Sequence, residues 1–251
     1  MLKEDNLSWY KWYVLGKWNE VSERQPYFCV GKYVHETIEM YHRLWKWNTD
    51  RFATELKLEF VKEWQDEEAT EKALSEYSHA IGNAKLVVTQ RSKNPEKQIL
   101  RDINAKYRLK CKLDVLRPDF IQDYKVVSSF TKDEDKEKFY QQACLYQYAV
   151  YKETGEQMIC VMTEILKRKP SLPQKKADLL DMVEEKDKEE MSSKKVADIK
   201  NYLYLRTNAE QVSKDHVFEW SDRIIDFAED LIRKAIIKAE WLKTLNESDI
   251  L

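Results

Sequence analysis

The sequence predicts an α/β fold, a central mixed β-sheet flanked by helices with helical elaborations at both ends. Three observations predict it. Apolar residues recur at helical spacing across residues 32–82, the period switches to two between Lys106 and Val115, and short strand-like runs then alternate with helical ones. The chain has 251 residues, 43% of them hydrophobic, enough for one large core, and we expect a single domain over 1–251. Only 4 glycines and 5 prolines argue against a disordered or turn-dense all-β chain.

Residues 9–28 are aromatic (Trp9, Tyr10, Trp12, Tyr13, Trp18, Tyr27, Phe28) and read as packing rather than a base-stacking platform. From Lys32, Val34, Ile38, Tyr41 and Trp45 mark the inward stripe of a first helix. Helices are expected near 52–64, with Leu56, Phe60 and Trp64 inward, and near 67–82. In 106–116 the odd positions are Tyr, Leu, Cys, Leu and Val and the even ones are charged, a strand with one apolar face. Arg117-Pro118-Asp119 carries turn chemistry, and a second strand follows over 120–128. Residues 134–153 return to helix, with Phe139, Ala143, Tyr146 and Val150 on one face and Gly155 as the stop. A strand is expected at Gln157–Leu166. A charged insertion over 167–200 reads as a solvated helix or a lid. Tyr202–Leu205 reads as a short strand. A long amphipathic helix over Trp220–Leu245 puts Ile224, Phe227, Leu231, Ala235 and Ile236 inward.

The four cysteines (Cys29, Cys111, Cys144, Cys160) form no CxxC pair and read as reduced, buried thiols of an intracellular, cytoplasmic protein. The opening MLKEDNLSW has no apolar h-region, and no apolar run reaches the ~18–20 residues that span a bilayer, so neither a signal peptide nor a membrane partner is expected. A formal charge of −2 advertises no global basic field, yet abundant charge of both signs leaves room for a local basic groove.

Chemistry concentrates in IQDYKVVSSF, residues 121–130. Asp123 and Lys125 lie two apart, so on a strand they leave by the same face. A hairpin turning at Pro118-Asp119 puts Asp114 opposite Asp123 and Lys112 opposite Lys125. Opposed residues hold their Cβ atoms about 4.5–5.5 Å apart, so two carboxylates there repel unless a cation joins them. Mg²⁺ or Mn²⁺ takes such oxygen ligands, and Lys125 would then orient a metal-bound water. The alternative is a solvated face of scattered charges. His35, Glu39 and His42 share one helix face; for Glu39 and His42 the ordinary polar-face reading is favoured. The row Lys106, Arg108, Lys110, Lys112 could track a phosphate backbone, whereas for Lys167–Lys169 and Lys175–Lys176 ordinary surface charge is the favoured reading over the same role.

These residues in this order resemble the PD-(D/E)XK nuclease superfamily, in its RecB-like and phage-exonuclease branch. The resemblance rests on Asp114, then Asp123-Tyr124-Lys125, then Gln142-Ala143-Cys144-Leu145-Tyr146, with Gly31-Lys32-Tyr33-Val34-His35 upstream, and covers roughly residues 28–165. It implies a restriction-endonuclease-like core and a Mg²⁺- or Mn²⁺-dependent exonuclease acting on DNA ends in recombination, repair or phage replication. Asp114, Asp123, the Tyr124 carbonyl and His35 would serve the metal. Lys125 would position water and stabilise phosphate charge, and Gln142 and Tyr146 would hold the lysine and the DNA; Ser128, Arg108, Lys110 and Lys112 are candidate DNA contacts. Val126 stands where a hydroxyl residue often follows the lysine. Only Cys160 follows the Gln–Tyr helix, so the iron–sulfur cluster of some relatives is not expected. The resemblance further implies a bacterial or phage-infected cell, a recombinase or single-strand-binding partner, and a homo-oligomer in some relatives. An endonuclease on the same fold and a catalytically dead DNA-binding scaffold are the rival readings.

Overall fold

The computed structural model describes residues 26–63, 65–169, 175–206 and 212–244. A five-stranded sheet runs through the centre: β1 (Asn94–Asp102), β2 (Arg108–Leu116), β3 (Phe120–Val127), β4 (Ile159–Leu166) and β5 (Ser213–Phe218), adjacent in that order. β1, β2 and β3 are antiparallel neighbours, β3 and β4 run parallel, and β5 returns antiparallel to β4. The parallel step needs a crossover, which helix α4 (Glu137–Thr154) supplies after a 3₁₀ turn at Asp133–Asp135. Three helices precede the sheet: α1 (Pro26–Leu44), α2 (Thr49–Glu63) and α3 (Glu67–Val87). α5 (Lys176–Asp181), α6 (Glu185–Ser192) and α7 (Val196–Arg206) lie between β4 and β5, and α8 (Arg223–Lys243) closes the described chain. The mixed sheet flanked by helices is the architecture the sequence predicts.

Two cores follow from the two sheet faces. On one, α1–α3 pack Val34, Ile38, Phe52, Leu56, Phe60, Tyr77 and Ile81 against Val115, Tyr124 and Ile165. On the other, Phe139, Ala143, Tyr146 and Val150 of α4 cover Ile99, Leu113, Ile121 and Met162. Each fully buried aliphatic or aromatic side chain here contributes roughly 1.5–3 kcal/mol. α3 opens on Asp66, whose carboxylate accepts from the Ala69 N–H at 3.0 Å. α4 stops where the spacing predicts, at Gly155 with φ +77, the left-handed cap only glycine adopts freely.

Several elements differ from expectation. β1 and β5 were not anticipated: NPEKQILRD is charged and carries a proline at its second position, SKDHVF is short and charged, and neighbouring strands rather than their own pattern make them strands. Tyr202–Leu205 is not a strand but part of α7, where Ile199 and Leu203 join Leu179, Val183 and Met191 in a small core. The charged insertion therefore contains three packed helices. Trp45 and Ala235, expected inward, are exposed, because α1 ends at Leu44 and α8 buries a narrower stripe through Ile224, Ala228 and Ala239. His42 is buried rather than on a polar face, its Nδ1 accepting the Ser92 N–H at 3.0 Å. All four cysteines are buried and unbridged. Residues 1–25 and Trp64 lie outside the described residues, and so do the aromatic positions 9–18. Among the described residues no helix is long and apolar enough to cross a membrane.

Candidate active site

The β2–β3 turn sets the site. Arg117 N–H donates to the Phe120 carbonyl at 2.9 Å across Pro118-Asp119, and Leu116 pairs with Ile121 and Val115 with Gln122. This is the anticipated register, and continued one step it brings Asp114 to Asp123. There the ladder stops. Tyr124 N–H, lacking a strand carbonyl on that side, donates instead to Asp114 Oδ2 at 2.8 Å. β1 breaks at the same level: Glu96, across from Asp114, has φ +49 and leaves the otherwise continuous β1–β2 pairing. The expected opposition of Lys112 and Lys125 does not form. Lys112 faces Gln98 of β1 and pairs with Glu96 at 2.5 Å, because the strands separate beyond the carboxylates.

Four predicted side chains meet in this split. His35 reaches down from α1 and places Nδ1 3.1 Å from Asp114 Oδ2. Lys125 Nζ lies 2.7 Å from Asp123 Oδ2, so the acid and the lysine do share a face. Burial alone would raise the Asp114 carboxyl, but His35, the Tyr124 N–H and Lys125 together hold it below its usual value. Asp123 moves the other way, pushed up by burial and then by the charge of Asp114 despite Lys125. Burial would lower His35, yet Asp114's charge and hydrogen bond raise it on balance, so it holds its proton more readily than a free imidazole.

Gln142 and Tyr146 present together from α4, one turn apart: Gln142 Nε2 donates to Tyr146 Oη at 2.6 Å. Burial, with Asp123 next, drives the Tyr146 phenol well above its ordinary range, so it stays a neutral hydroxyl beside the carboxylates. Gln142 and Tyr146 thus join the acids across the sheet face. The other candidates sit apart. Arg108 pairs with Asp102 at 2.5 Å, Lys110 is exposed opposite Leu100, and exposed Ser128 offers its carbonyl to Arg168 at 2.8 Å. Lys167 pairs with Glu76 at 2.6 Å, and Lys169 and Lys176 donate to Asn201 and the Ser192 carbonyl.

Sequence reasoning missed one group. Glu164 of β4, in direct register with Lys125, is fully buried and accepts from Thr131 N–H at 2.8 Å, Thr131 Oγ1 at 2.6 Å and His216 Nε2 at 3.0 Å. It ties the segment after β3 to the sheet beside the lysine. Its signal was a lone acid in the apolar strand ICVMTEIL, since a buried carboxylate persists only where partners are supplied.

No protein-family profile and no curated sequence matches the chain. Among solved structures, the crystal structure of a "Putative exonuclease" from Eubacterium rectale is similar at a TM-score of 0.52 and 13% identity, covering 96% of this chain and 80% of that one. The two share a fold. At that identity the likeness describes architecture alone and leaves the chemistry to be argued from the residues.

The donor set suits a hard divalent cation. Two largely buried carboxylates, one of them forced up by the other, are the arrangement that a cation between them relieves. Among the described residues, no three or more His, Cys, Asp or Glu side chains are grouped to hold a metal ion by themselves. A cation here would take the Asp114 and Asp123 carboxylates, the Tyr124 carbonyl and water, with His35 hydrogen-bonded to Asp114 behind them.

Proposed function

We propose that this protein is a Mg²⁺- or Mn²⁺-dependent deoxyribonuclease that hydrolyses phosphodiester bonds from DNA ends. The observation that carries the reading is the convergence of Asp114, Asp123, Lys125 and His35 at the point where β2 parts from β3. The exonuclease description of the similar structure supports it and favours a substrate with a free end.

Asp114 and Asp123 would hold the ion with the Tyr124 carbonyl. When bound, a divalent ion supplies Lewis acidity, lowering the pKa of water and neutralising charge on the phosphate. The protein's own groups do the rest. Lys125, held by Asp123, carries a fixed ammonium to the scissile phosphate, where negative charge grows in the transition state. His35 fixes the orientation of Asp114. Gln142 and neutral Tyr146 offer hydrogen-bond donors to a phosphate oxygen or to the lysine.

The test is digestion of single-stranded, blunt and recessed DNA, labelled at either terminus, with Mn²⁺. Release of nucleotides from one labelled end is expected. Lys125→Ala should lower the rate by at least 100-fold, the order seen on removing one transition-state donor, with the fold retained by circular dichroism. Cleavage of covalently closed circles would move the reading to an endonuclease, and no cleavage of any nucleic acid would leave a binding scaffold.

A further inference from the structure

We propose that the aromatic stack at the C-terminal end of α1, built from Trp45, Tyr41 and Trp47, is a base-stacking platform for a single-stranded nucleic-acid end. It rests on the nuclease reading and deepens it by naming the form of DNA end the site takes.

Trp45 is out of place by ordinary rules. It follows the last residue of α1 with φ +56, the left-handed cap position that glycine normally fills. A bulky residue there is a backbone outlier, and such strain persists where the surroundings impose it, commonly at functional positions. Its N–H closes the helix on the Tyr41 carbonyl at 2.7 Å, a bond glycine would make equally well. The indole is not there to fill the core, because Trp45 is 56% exposed.

The side chain is nevertheless ordered by neighbours. Its ring stacks on Tyr41 at 5.2 Å between centroids and 21° between planes, and Trp47 stacks on the same tyrosine at 4.4 Å and 21°. Near-parallel rings with one indole open to solvent offer the flat face a nucleobase takes, whatever its sequence.

The electrostatics fit an anionic strand. A helix C-terminus ordinarily repels phosphate. Here Arg91 crosses it, donating to the carbonyls of His42 and Arg43 at 2.6 Å each, so the exposed end is covered by a guanidinium. Lys85 lies 5.8 Å over the Trp47 ring, and Lys46 is exposed beside Trp45. Position fits as well. His35 and Trp45 lie ten residues apart, about 15 Å along the helix and its cap at 1.5 Å per residue. A single strand within the usual footprint of about 4–16 nucleotides covers that distance. We take a base held on Trp45 to belong to the strand whose backbone reaches the carboxylates, since that strand is long enough to span both.

The experiment uses the full chain without divalent metal, so that nothing is cut. Single strands of about 12 nucleotides, within a usual binding footprint, carry a fluorescent base analogue at each position in turn. Quenching at one internal position is expected in the wild type. Trp45→Ala and Trp45→Gly should abolish it and weaken single-strand binding about 5- to 100-fold, whereas Trp45→Phe keeps most of both. Trp45→Gly should also melt no lower than the wild type, since glycine relieves the cap, and its binding of blunt duplex should not change. Unchanged quenching and affinity in Trp45→Gly would overturn the platform, as would a lower melting temperature with equal loss for single and double strands. Cleavage by the wild type with Mn²⁺ is read separately. If it cuts DNA while Trp45→Gly binds single strands normally, the platform fails and the nuclease stands; Trp45-dependent quenching without cleavage is the reverse.

Discussion

His42 shows how one side chain carries both packing and pH dependence. It is fully buried, stacks near Tyr124 at 6.5 Å, and accepts the Ser92 N–H, so the folded state holds it neutral. Burial, then Arg117, lowers its pKa from 6.5 to about 4. Between those values the unfolded chain binds a proton that the native state refuses, so stability falls as pH drops through that window, by about 3 kcal/mol. Denaturant unfolding at pH 4.5 and 7 should show this loss, and His42→Gln should flatten it. Glu164 acts further down. Burial would raise it, but His216 and Thr131 hold it below 4.5. Its stabilisation is present above its unfolded pKa and is lost as pH falls through the lower folded value. Glu164→Ala leaves the Thr131 N–H and His216 without their acceptor, and should cost about 2–4 kcal/mol in equilibrium unfolding.

At the level of elements, β2 and β3 are where pattern and structure agree most closely. Their alternation, the Pro118-Asp119 turn and the register were all readable, because a hairpin is a local structure whose pairing its turn determines. Leu113 sits at the centre of the α4-side core with no exposed surface, so Leu113→Ala should destabilise by roughly 3–4 kcal/mol. Denaturant midpoints would measure it. β1 was not readable. It pairs along nearly its whole length with β2, yet its own residues alternate poorly, and it supplies the acids, Glu96 and Asp102, that neutralise Lys112 and Arg108. Of the basic row, Arg108 and Lys112 are thus paired with acids of the neighbouring strand, while Lys110 stays exposed.

Across the whole molecule, stability is distributed over unequal cores. Two large clusters clasp the sheet, while α5–α7 are held by the small set Leu179, Val183, Met191, Ile199 and Leu203, with Tyr204 bonded to Asn83 of α3 at 3.0 Å. Residues 176–206 should therefore exchange amide hydrogens well before β2–β4, and Met191→Ala should speed that exchange without altering the sheet's. Hydrogen-exchange mass spectrometry would separate the two regions. The sequence by itself determined the α/β plan, the hairpin and the helix that follows it, because these follow from local periodicity and turn chemistry, while the order Asp114, Asp123, Lys125, Gln142, Tyr146 stood out through its resemblance to a nuclease motif. Only the tertiary structure decided that α1 lowers His35 onto Asp114, that β2 and β3 part beside the acids, and that β1 and Glu164 surround them. Those contacts join residues far apart in the chain, and distance along a sequence carries no signal of proximity in space.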